Sequence, residues 1–416
     1  MQVDTDLLPF SADTIPPSWK IAVLGDVCSE ITDGDWIETK DQGGNDYRLL
    51  QISNIGVGVF VETGKYRYVT QEAFDRLRCK EIVSGQILVA RMPDPIGRAW
   101  YVQSMPFRSI TAVDVAILTP NPSILDGKYC SYYLNSPQNL AYAQSRASGT
   151  TRLRITRRDL GTFPIPLPPL SIQRKVAALL SAYDDLIKVN TRRIRILEQM
   201  AQAVYREWFG SVDARGRAAS LPGGWLVVKL GDACNIVMGQ SPESKYYNEN
   251  GEGLPFHQGV TNFGDRYPTD RVFCTVENRI AEKGDILFSV RAPVGRLNIA
   301  NKRIVIGRGL SAIRSKTGNQ TFVFQQLKEQ FQEEDTMGGG TIFKSVTKDD
   351  VLGIKFLLPP KELIAKFEDF ATPTFRELEI LTAKNANLRR TRDLLLPRLV
   401  SGEIDVSEIK IVTGER

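Results

Sequence analysis

The sequence is a tandem repeat, and this feature limits the possible folds more than any other. Residues 19–28 read WKIAVLGDVC and residues 225–234 read WLVVKLGDAC, so Trp, Leu, Gly, Asp and Cys recur at a spacing of 206 positions. Further along, SGTTRLRITRRDL at 148–160 corresponds to GGTIFKSVTKDDV at 339–351, at a spacing of 191. Similarity over so long a period predicts two copies of one structural unit.

The two copies differ in the length of their first part. Because the spacing falls from 206 to 191, the first copy is 15 residues longer between these segments. Insertions inside a unit whose ends are preserved are typical of surface loops. After the Pro-Pro pairs at 168–169 and 359–360 the spacing stays at 191. Each copy is therefore predicted to be a head with variable loops, followed by a spacer of fixed length. We place the first head at 1–165, the central spacer at 166–212, the second head at 213–356, and the second spacer and tail at 357–416.

The spacers have the pattern of long helices. Residues 171–208 contain neither Pro nor Gly, and apolar residues recur at steps of three and four from Ile172 to Trp208. Such spacing gives one apolar stripe on a helix of roughly 57 Å. The second copy covers about 361–396. Pro397 is expected to end it, and Pro373 is expected to kink or split it.

Neither helix can bury its stripe alone, so we predict that the two pair as an antiparallel coiled coil. The alternative is that each helix packs on its own head. Asn190 falls on the first stripe, where a buried asparagine could fix the register of pairing. Equally, the stripe could have drifted there and left Asn190 in solvent.

The heads have the pattern of mixed α/β domains. Short apolar runs at 87–90, 113–118, 286–290 and 304–306 predict buried strands. Clusters of turn residues separate them, for example DQGGND at 41–46. The predicted fold class is α+β, with two mixed α/β domains in tandem repeat, separated by two long helices that pair as an antiparallel coiled coil.

Composition excludes several classes of site. Five cysteines without a C-x-x-C pair disfavour a disulfide framework or a zinc site, and a single histidine, His257, leaves little for metal or acid–base chemistry. The net charge of +5 and pI of about 8.8 permit nucleic-acid binding. No apolar run is long enough to span a bilayer, and the acidic start lacks the pattern of a signal peptide. We therefore expect a cytoplasmic protein.

Motifs for catalysis are missing from the sequence. The three Pro-Pro pairs read IPPS, LPPL and LPPK, and none fits the N/D-P-P-aromatic tetrapeptide of a methyltransferase. The nearest approach to a P-loop, at 58–66, has the wrong glycine spacing and ends in Tyr66. Asp33, Glu38 and Lys40 fit a nuclease site only loosely. Two rival functions stay open from the residues: a complete DNA methyltransferase with a built-in reader, and a scaffold that binds no DNA.

The whole pattern resembles the specificity subunits of type I restriction–modification systems. The resemblance is carried by the proline–Trp–x4–Leu-Gly-Asp opening of both heads, the run LPPLSIQRKVAALLSAYDDLIKVNTRRIRILEQMAQAVYREWF at 167–209, and the closing LLPRLVSGEIDV at 395–406. It covers nearly the whole chain. Two features depart from the family pattern: Gln173 has Ile172 before it where the family usually has Glu, and Pro373 is unusual.

The resemblance implies a phage-defence subunit that is not itself an enzyme. Each head would be a target-recognition domain for one half of a split double-stranded DNA site. The helices would act as a ruler and as the dock for two methyltransferase subunits, and restriction subunits would join through these. The partners would carry S-adenosylmethionine, ATP and magnesium, and this chain would need no cofactor and no metal.

Candidate DNA-binding residues are polar side chains on predicted loops, because bases and phosphates are contacted chiefly by Arg, Lys, Gln and Asn. The expected set is Gln51, Asn54, Arg91, Arg98, Arg152 and Arg154 in the first head, and Gln240, Lys245, Gln258, Arg291, Arg296 and Lys344 in the second. Arg98 and Arg296 are favoured, since PIGR at 95–98 and PVGR at 293–296 predict a turn that exposes the arginine. The alternatives for both are a solvated charge or a structural ion pair.

Overall fold

The computed structural model describes residues 8–10, 15–210, 221–331 and 345–410. Within this part of the chain, two compact units form. Unit 1 contains the chain up to Val189 together with the chain from Lys384 onward, and unit 2 contains Asn190–Ala383. In the described residues, no helix is both long enough and apolar enough to cross a membrane.

Unit 1 combines short strands with short helices. Its strands are β1 Lys20–Val23, β2 Cys28–Asp33, β3 Tyr47–Leu50, β4 Tyr68–Val69, β5 Ile87–Ala90, β6 Ala99–Tyr101, β7 Ser109–Thr111, β8 Val115–Pro120 and β9 Pro164–Leu167. Its short helices are α1 Leu24–Val27, α2 Gln71–Leu77, α3 Gly127–Leu134, α4 Pro137–Arg146 and α5 Arg157–Gly161. Three sheets result, with strand orders β1-β9, β2-β8-β5-β6 and β4-β3-β7. All neighbours are antiparallel except β3 and β7, which are parallel.

The long helix α6, Leu170–Phe209, follows β9 and begins in unit 1. Unit 2 then repeats the plan. Its strands are β10 Leu226–Lys229, β11 Cys234–Met238, β12 Tyr247–Asn248, β13 Leu254–His257, β14 Phe273–Cys274, β15 Ile280–Ala281, β16 Ile286–Ser289, β17 Leu297–Ile299, β18 Ile304–Ile306, β19 Leu310–Ser315 and β20 Lys355–Leu358. Its short helices are α7 Leu230–Ala233, α8 Gln320–Gln330 and α9 Lys348–Leu352. The orders β10-β20 and β11-β19-β16-β17 match those of unit 1. The third sheet, β12-β14-β13-β18-β15, contains the counterpart of β4-β3-β7 in β14-β13-β18, with the parallel pair β13 and β18, and adds β12 and β15 at its edges.

The second long helix, α10 Lys361–Val400, passes Pro397, so the predicted end there is wrong. It is continuous across Pro373 and is therefore not split there, while a kink at Pro373 stays a prediction. A proline within a helix loses one backbone hydrogen bond. Buried apolar residues on both sides of each proline hold the helix in place: Ala371 and Leu378 flank Pro373, and Leu396 and Leu399 flank Pro397.

In unit 1, the first part of α6 packs against the last part of α10. Val176 and Leu180 share a core with Leu399 and with residues of the first head. Arg392 pairs with Asp184, which also accepts a hydrogen bond from the head residue Tyr132 at 2.5 Å. The buried Asn385 donates from Nδ2 to Ile187 O at 3.4 Å.

In unit 2, the last part of α6 packs against the first part of α10. Tyr205 and Phe209 lie against Phe367, with ring centroids 5.8 and 5.5 Å apart. Arg193 pairs with Glu377 at 3.0 Å. The helices also carry the second head, because its buried Arg266 pairs with Glu198 at 3.1 Å and stacks on Phe375 at 4.3 Å.

Each helix end therefore contacts both the other helix and a head. The predicted stripe on α6 is partly wrong: Leu186 is exposed, while Leu180, Tyr205 and Phe209, which lie off that stripe, are buried. The stripe shifts because each half of α6 faces a different neighbour. Asn190 is half-buried, and its role in register stays a prediction. The five cysteines are free and buried, and burial raises the pKa of Cys28 and Cys234 to about 12.

Leu399→Ala tests the packing of the end of α10 in unit 1. Leu399 is fully buried in the core shared with Val176, so the truncation leaves a cavity there. We expect the free energy of unfolding, measured by urea denaturation of the full chain, to fall by about 2–5 kcal/mol. The control is Leu394→Ala on the same helix, where the side chain is 65% exposed and the change should stay within about 0.5 kcal/mol. Equal effects of the two substitutions would contradict the packing.

Candidate nucleic-acid interface

A tight turn occupies the same place in both heads. Residues 112–114 connect β7 to β8, and residues 307–309 connect β18 to β19. Each turn begins where its strand leaves the parallel pair: Ala112 N donates to Leu50 O at 3.0 Å, and Gly307 N donates to His257 O at 2.9 Å. The two turns are thus equivalent, and each lies at the carboxyl end of the two parallel strands.

A loop follows the first strand of the four-stranded sheet and lies directly on this turn. In the first head, Gly34 N donates to Val115 O at 2.9 Å and Asp35 N donates to Thr111 O at 2.8 Å. A Cβ at Gly34 would lie 2.3 Å from Ala112 O, so only glycine permits the approach. The loop continues into Trp36.

The second head repeats this arrangement with other residues. Gly239 N donates to Leu310 O at 2.9 Å, and Gln240 N donates to Ile306 O at 3.0 Å. A Cβ at Gly239 would lie 2.1 Å from the carbonyl oxygen of Gly307. The loop here continues into Ser241, which is therefore the counterpart of Trp36.

Two further segments complete the frame. Gln51 follows β3 and Gln258 follows β13, in both cases next to the turn. Arg91 N donates to Asp114 O at 3.1 Å, as Val290 N donates to Gly309 O at 3.0 Å. The segments that lead into α5 and α9 lie alongside, because Ile155 N donates to Arg91 O and Val346 N donates to Val290 O.

We use the name turn face for the surface that these segments build in each head. The turn faces comprise residues 35–36, 51, 91, 112–114 and 154 in the first head, and 240–241, 258, 290–291, 307–309 and 345 in the second.

The side chains on the two turn faces differ although the backbone frame is the same. The second head carries an exposed polar group: Ser241 Oγ donates to Gln258 Oε1 at 2.8 Å, and Arg308 Nε donates to Ser241 Oγ at 3.4 Å. The first head carries Trp36 and Val113 at the corresponding places. The frame therefore holds exchangeable side chains in fixed positions.

Arg308 and Trp36 were not among the residues expected from the sequence. The signal for Arg308 was the glycine on each side of it. A Cβ at Gly309 would lie 2.6 Å from Gln258 O, so the turn presses against the strand end and Arg308 is exposed. The signal for Trp36 was a large aromatic residue in a polar loop, two residues after Gly34.

Several expected residues lie on the turn faces and reach solvent. Gln240, Gln258 and Arg291 are exposed in the second head, and Arg154 is exposed in the first, where Gln51 is half-buried. Exposed Arg152 lies in the hairpin closed by the backbone pair Ser148 and Arg154. Lys245 lies away from the frame, 2.7 Å from Glu243 and over the ring of Tyr246. Lys344 is outside the described residues.

Two of the expected residues are structural in this conformation. Arg91 is buried, and its guanidinium donates to Val113 O at 2.6 Å and lies 3.4 Å from Asp33. Arg91 thereby supports the turn at 112–114, because the chain directly after β5 lies against these residues. Asn54 is buried as well, accepting from Gln51 N and donating to Val61 O, both at 2.9 Å.

Arg98 corrects the expectation of an exposed arginine. The predicted turn forms, with Gly97 at φ 84°, but the side chain turns inward and is 8% exposed. Its guanidinium donates to the carbonyls of Ile52, Ile55, Pro93 and Pro95. Burial lowers the pKa of the Arg98 guanidinium, and the Asp94 carboxylate opposes that shift. Arg98 thus clamps the helical turn that follows Gln51.

Arg296 differs from Arg98 although the two are equivalent in the backbone frame. The backbone carbonyl of each accepts a hydrogen bond from the preceding strand, from Ala90 N to Arg98 O and from Ser289 N to Arg296 O. The Arg296 side chain is exposed, and its backbone N donates to Ser289 Oγ at 2.8 Å. Arg98 bonds to backbone carbonyls and is therefore not the ion-pair partner considered from the sequence, whereas for Arg296 that alternative stays open.

The rest of the described chain offers no competing metal site. In residues 8–10, 15–210, 221–331 and 345–410, no group of three His, Cys, Asp or Glu side chains could hold a metal ion. The buried His257 bonds to Asp270 at 3.2 Å, and Lys302 bonds to the same carboxylate. These two partners help to lower the pKa of Asp270, against the effect of its burial.

Two heads with one frame and different exposed side chains define a modular recognition protein. The family model described as "Type I restriction modification DNA specificity domain" matches the chain twice, over residues 16–199 and 222–388. The chain belongs to this family, the DNA specificity subunits of type I restriction–modification systems. Such subunits recognise DNA and are not catalytic.

Named relatives agree over nearly the full length. A putative type I restriction enzyme MjaX specificity subunit of Methanocaldococcus jannaschii is 30% identical over 408 residues, which cover 94% of this chain and 95% of the relative. The MjaIX specificity subunit of the same organism is 23% identical and covers 98% of both. The solved type I S subunit of M. genitalium, 17% identical, has a TM-score of 0.58 over 94% of this chain and 98% of its own, and so shares the fold.

Arg98→Ala should destabilise the protein, because it removes the donor to four carbonyls, of which that of Ile55 lies on a buried residue. An unsatisfied buried polar group costs about 1–3 kcal/mol, so we expect the free energy of unfolding to fall by about that amount. The measurement is urea denaturation. Arg308→Ala, at an exposed arginine, is the control and should change stability by less than about 0.5 kcal/mol. A neutral effect of Arg98→Ala would rule out the clamp.

Proposed function

We propose that this chain reads a bipartite double-stranded DNA site, with the turn face of each head on one half of the site. The observation that supports this most is the shared frame with different side chains. Direct reading of sequence requires donors, acceptors and apolar groups held in fixed positions against base edges. A frame whose backbone hydrogen bonds are constant and whose exposed residues vary provides such positions for two different half-sites.

The proposal assigns some exposed polar residues to base edges and others to phosphates. Arg308 has the geometry to donate two hydrogen bonds to O6 and N7 of guanine, the commonest specific contact in the major groove. Gln240 and Gln258 suit adenine or a water-mediated contact. The arginines and the lysine on peripheral loops suit phosphates, which fix the position of the protein but carry no sequence information. This group comprises Arg152, Arg154, Lys245, Arg291 and Arg296.

We also propose that the long helices form an antiparallel coiled coil that sets the distance between the half-sites. The contact of Asn385 with Ile187 and that of Arg193 with Glu377 both fit one antiparallel register. The domain boundaries proposed are 1–165, 166–212, 213–356 and 357–416.

The expected partners are two methyltransferase subunits on the helices and, through them, restriction subunits in the cytoplasm. S-adenosylmethionine, ATP and magnesium belong to these partners in the proposal, and this chain supplies the choice of sequence.

Arg308→Ala tests the reading by the second head. If Arg308 donates to a guanine, its loss should weaken binding to the cognate duplex by about 1–3 kcal/mol, or roughly 5- to 150-fold in Kd. Specificity should relax at one base pair of one half-site. The measurement is binding of the chain with its methyltransferase partner to a set of duplexes that vary one base pair at a time.

The matched control is Arg303→Ala, an exposed arginine of the same head that pairs with Glu277 at 2.9 Å away from the turn face. It should leave the base preference unchanged. A uniform loss across all duplexes in Arg308→Ala would assign the residue to a phosphate instead. Preserved affinity and preference would remove Arg308 from the interface.

Paired insertions test the ruler. Four residues would be inserted after Val189 in α6 and four after Ala383 in α10. Because Ile187 lies opposite Asn385 and Arg193 opposite Glu377, the double insertion keeps the register within each unit. It lengthens both helices by about 6 Å, slightly more than one turn. That length corresponds to roughly two base pairs of DNA rise. Methylation mapping should show both half-sites retained and a longer unread spacer preferred.

The single insertion in α6 alone is the control. It shifts one half of the helix pair against the other, so we expect a loss of stability and of methylation. If the double insertion stays folded and active yet methylates only the original spacing, the ruler proposal fails.

A further inference from the structure

Trp36 is the most exposed large apolar side chain in the described part of the chain, at 71% exposure. Its one polar contact is a long hydrogen bond from Nε1 to Glu38 Oε1, at 3.5 Å. Leaving an indole in water forgoes the burial of a large apolar surface. Trp36 does not serve the core, and its indole is accessible to a binding partner.

The backbone that carries Trp36 is fixed on both sides. Before it, Asp35 N donates to Thr111 O at 2.8 Å, and the Asp35 carboxylate accepts from Lys80 N at 3.0 Å. After it, Glu38 N donates to the Asp41 carboxylate at 3.2 Å, within a helical turn. The indole is therefore mounted on an anchored loop beside the turn at 112–114.

The two turn faces differ in chemistry at this place. The second face has polar and cationic side chains at these two positions, Ser241 and Arg308, whereas the first face has apolar ones, Trp36 and Val113. The major groove displays one apolar group, the 5-methyl of thymine. An apolar side chain on a reading surface discriminates base pairs through that methyl group, because burying it removes apolar area from water.

We propose that Trp36, together with Val113, contacts the 5-methyl group of a thymine in the half-site read by the first head. The inference rests on the proposed reading of DNA by the turn faces, and it assigns a specificity-determining residue there. The first half-site accordingly contains a thymine whose methyl group contributes to affinity.

The test replaces each thymine of the recognised site, one at a time, by uracil. Uracil pairs with adenine as thymine does but lacks the 5-methyl group. The probe is the full chain with its methyltransferase partner, and the readout is the Kd for each duplex. One replacement in the first half-site should raise the Kd about fourfold, the equivalent of one buried methyl group. In Trp36→Ser, thymine and uracil duplexes should bind equally, and Trp36→Phe should restore the difference.

Two control variants distinguish a failure of the Trp36 assignment from a failure of the proposed function. Val83→Ser, at an exposed apolar residue of the same head, should keep the methyl sensitivity, as should Arg308→Ala in the other head. Because Trp36 is exposed, Trp36→Ser should leave the unfolding midpoint unchanged. Methyl sensitivity that survives in Trp36→Ser, or a first half-site without a methyl-sensitive thymine, would overturn the assignment. If the complex shows no sequence preference at all, the proposed function itself fails.

Discussion

The burial of the two long helices is the constraint on which the rest of the structure depends. A 40-residue amphipathic helix cannot cover its apolar side chains with its own head alone, and each unit covers the ends of both helices instead. Unit 1 joins Val176 and Leu180 of α6 to Leu399 of α10, and unit 2 joins Phe209 to Phe367. Each compact unit thereby contains segments that are far apart in sequence. Such long-range cores explain why α10 persists through Pro373 and Pro397.

The turn faces depend on a second constraint, the close approach of backbones at glycine. Gly34 and Gly239 allow a loop to lie on the carbonyls of the turn, where any side chain would collide. The hydrogen bonds made there are backbone to backbone, so they do not specify which residues follow. Trp36 and Ser241 can consequently occupy the same place in the two heads. The separation of a fixed frame from variable side chains is what a protein needs in order to acquire a new target without losing its fold.

The sequence predicted the repeat, the helices and most of the buried strands, because these follow from periodicity and local pattern. β5 and β18 lie where the apolar runs at 87–90 and 304–306 placed them. The sequence could not predict whether an individual arginine side chain is buried or exposed. Arg98 and Arg296 share a motif, yet one clamps four carbonyls and the other is exposed, since that choice depends on the loop at 52–55, far away in sequence. Arg308 was not among the predicted site residues, because its exposure follows from the close packing of the glycines on both sides of it against the neighbouring strand end.

Hydrogen bonds near the start of each long helix join it to the head that precedes it. In unit 1, the buried Gln173 of α6 accepts from Asp126 N at 2.8 Å and donates to Ile124 O at 2.9 Å. In unit 2, α10 meets the same need four residues later, where Glu368 accepts from Thr321 Oγ1 and Phe322 N. Because the two solutions use different residues, a head transferred without its own helix start would bury polar groups that lack a partner, at about 1–3 kcal/mol each. If the proposed heads are exchangeable, the exchangeable module would therefore extend beyond the proposed boundaries at 165 and 356, into the first turns of the long helices.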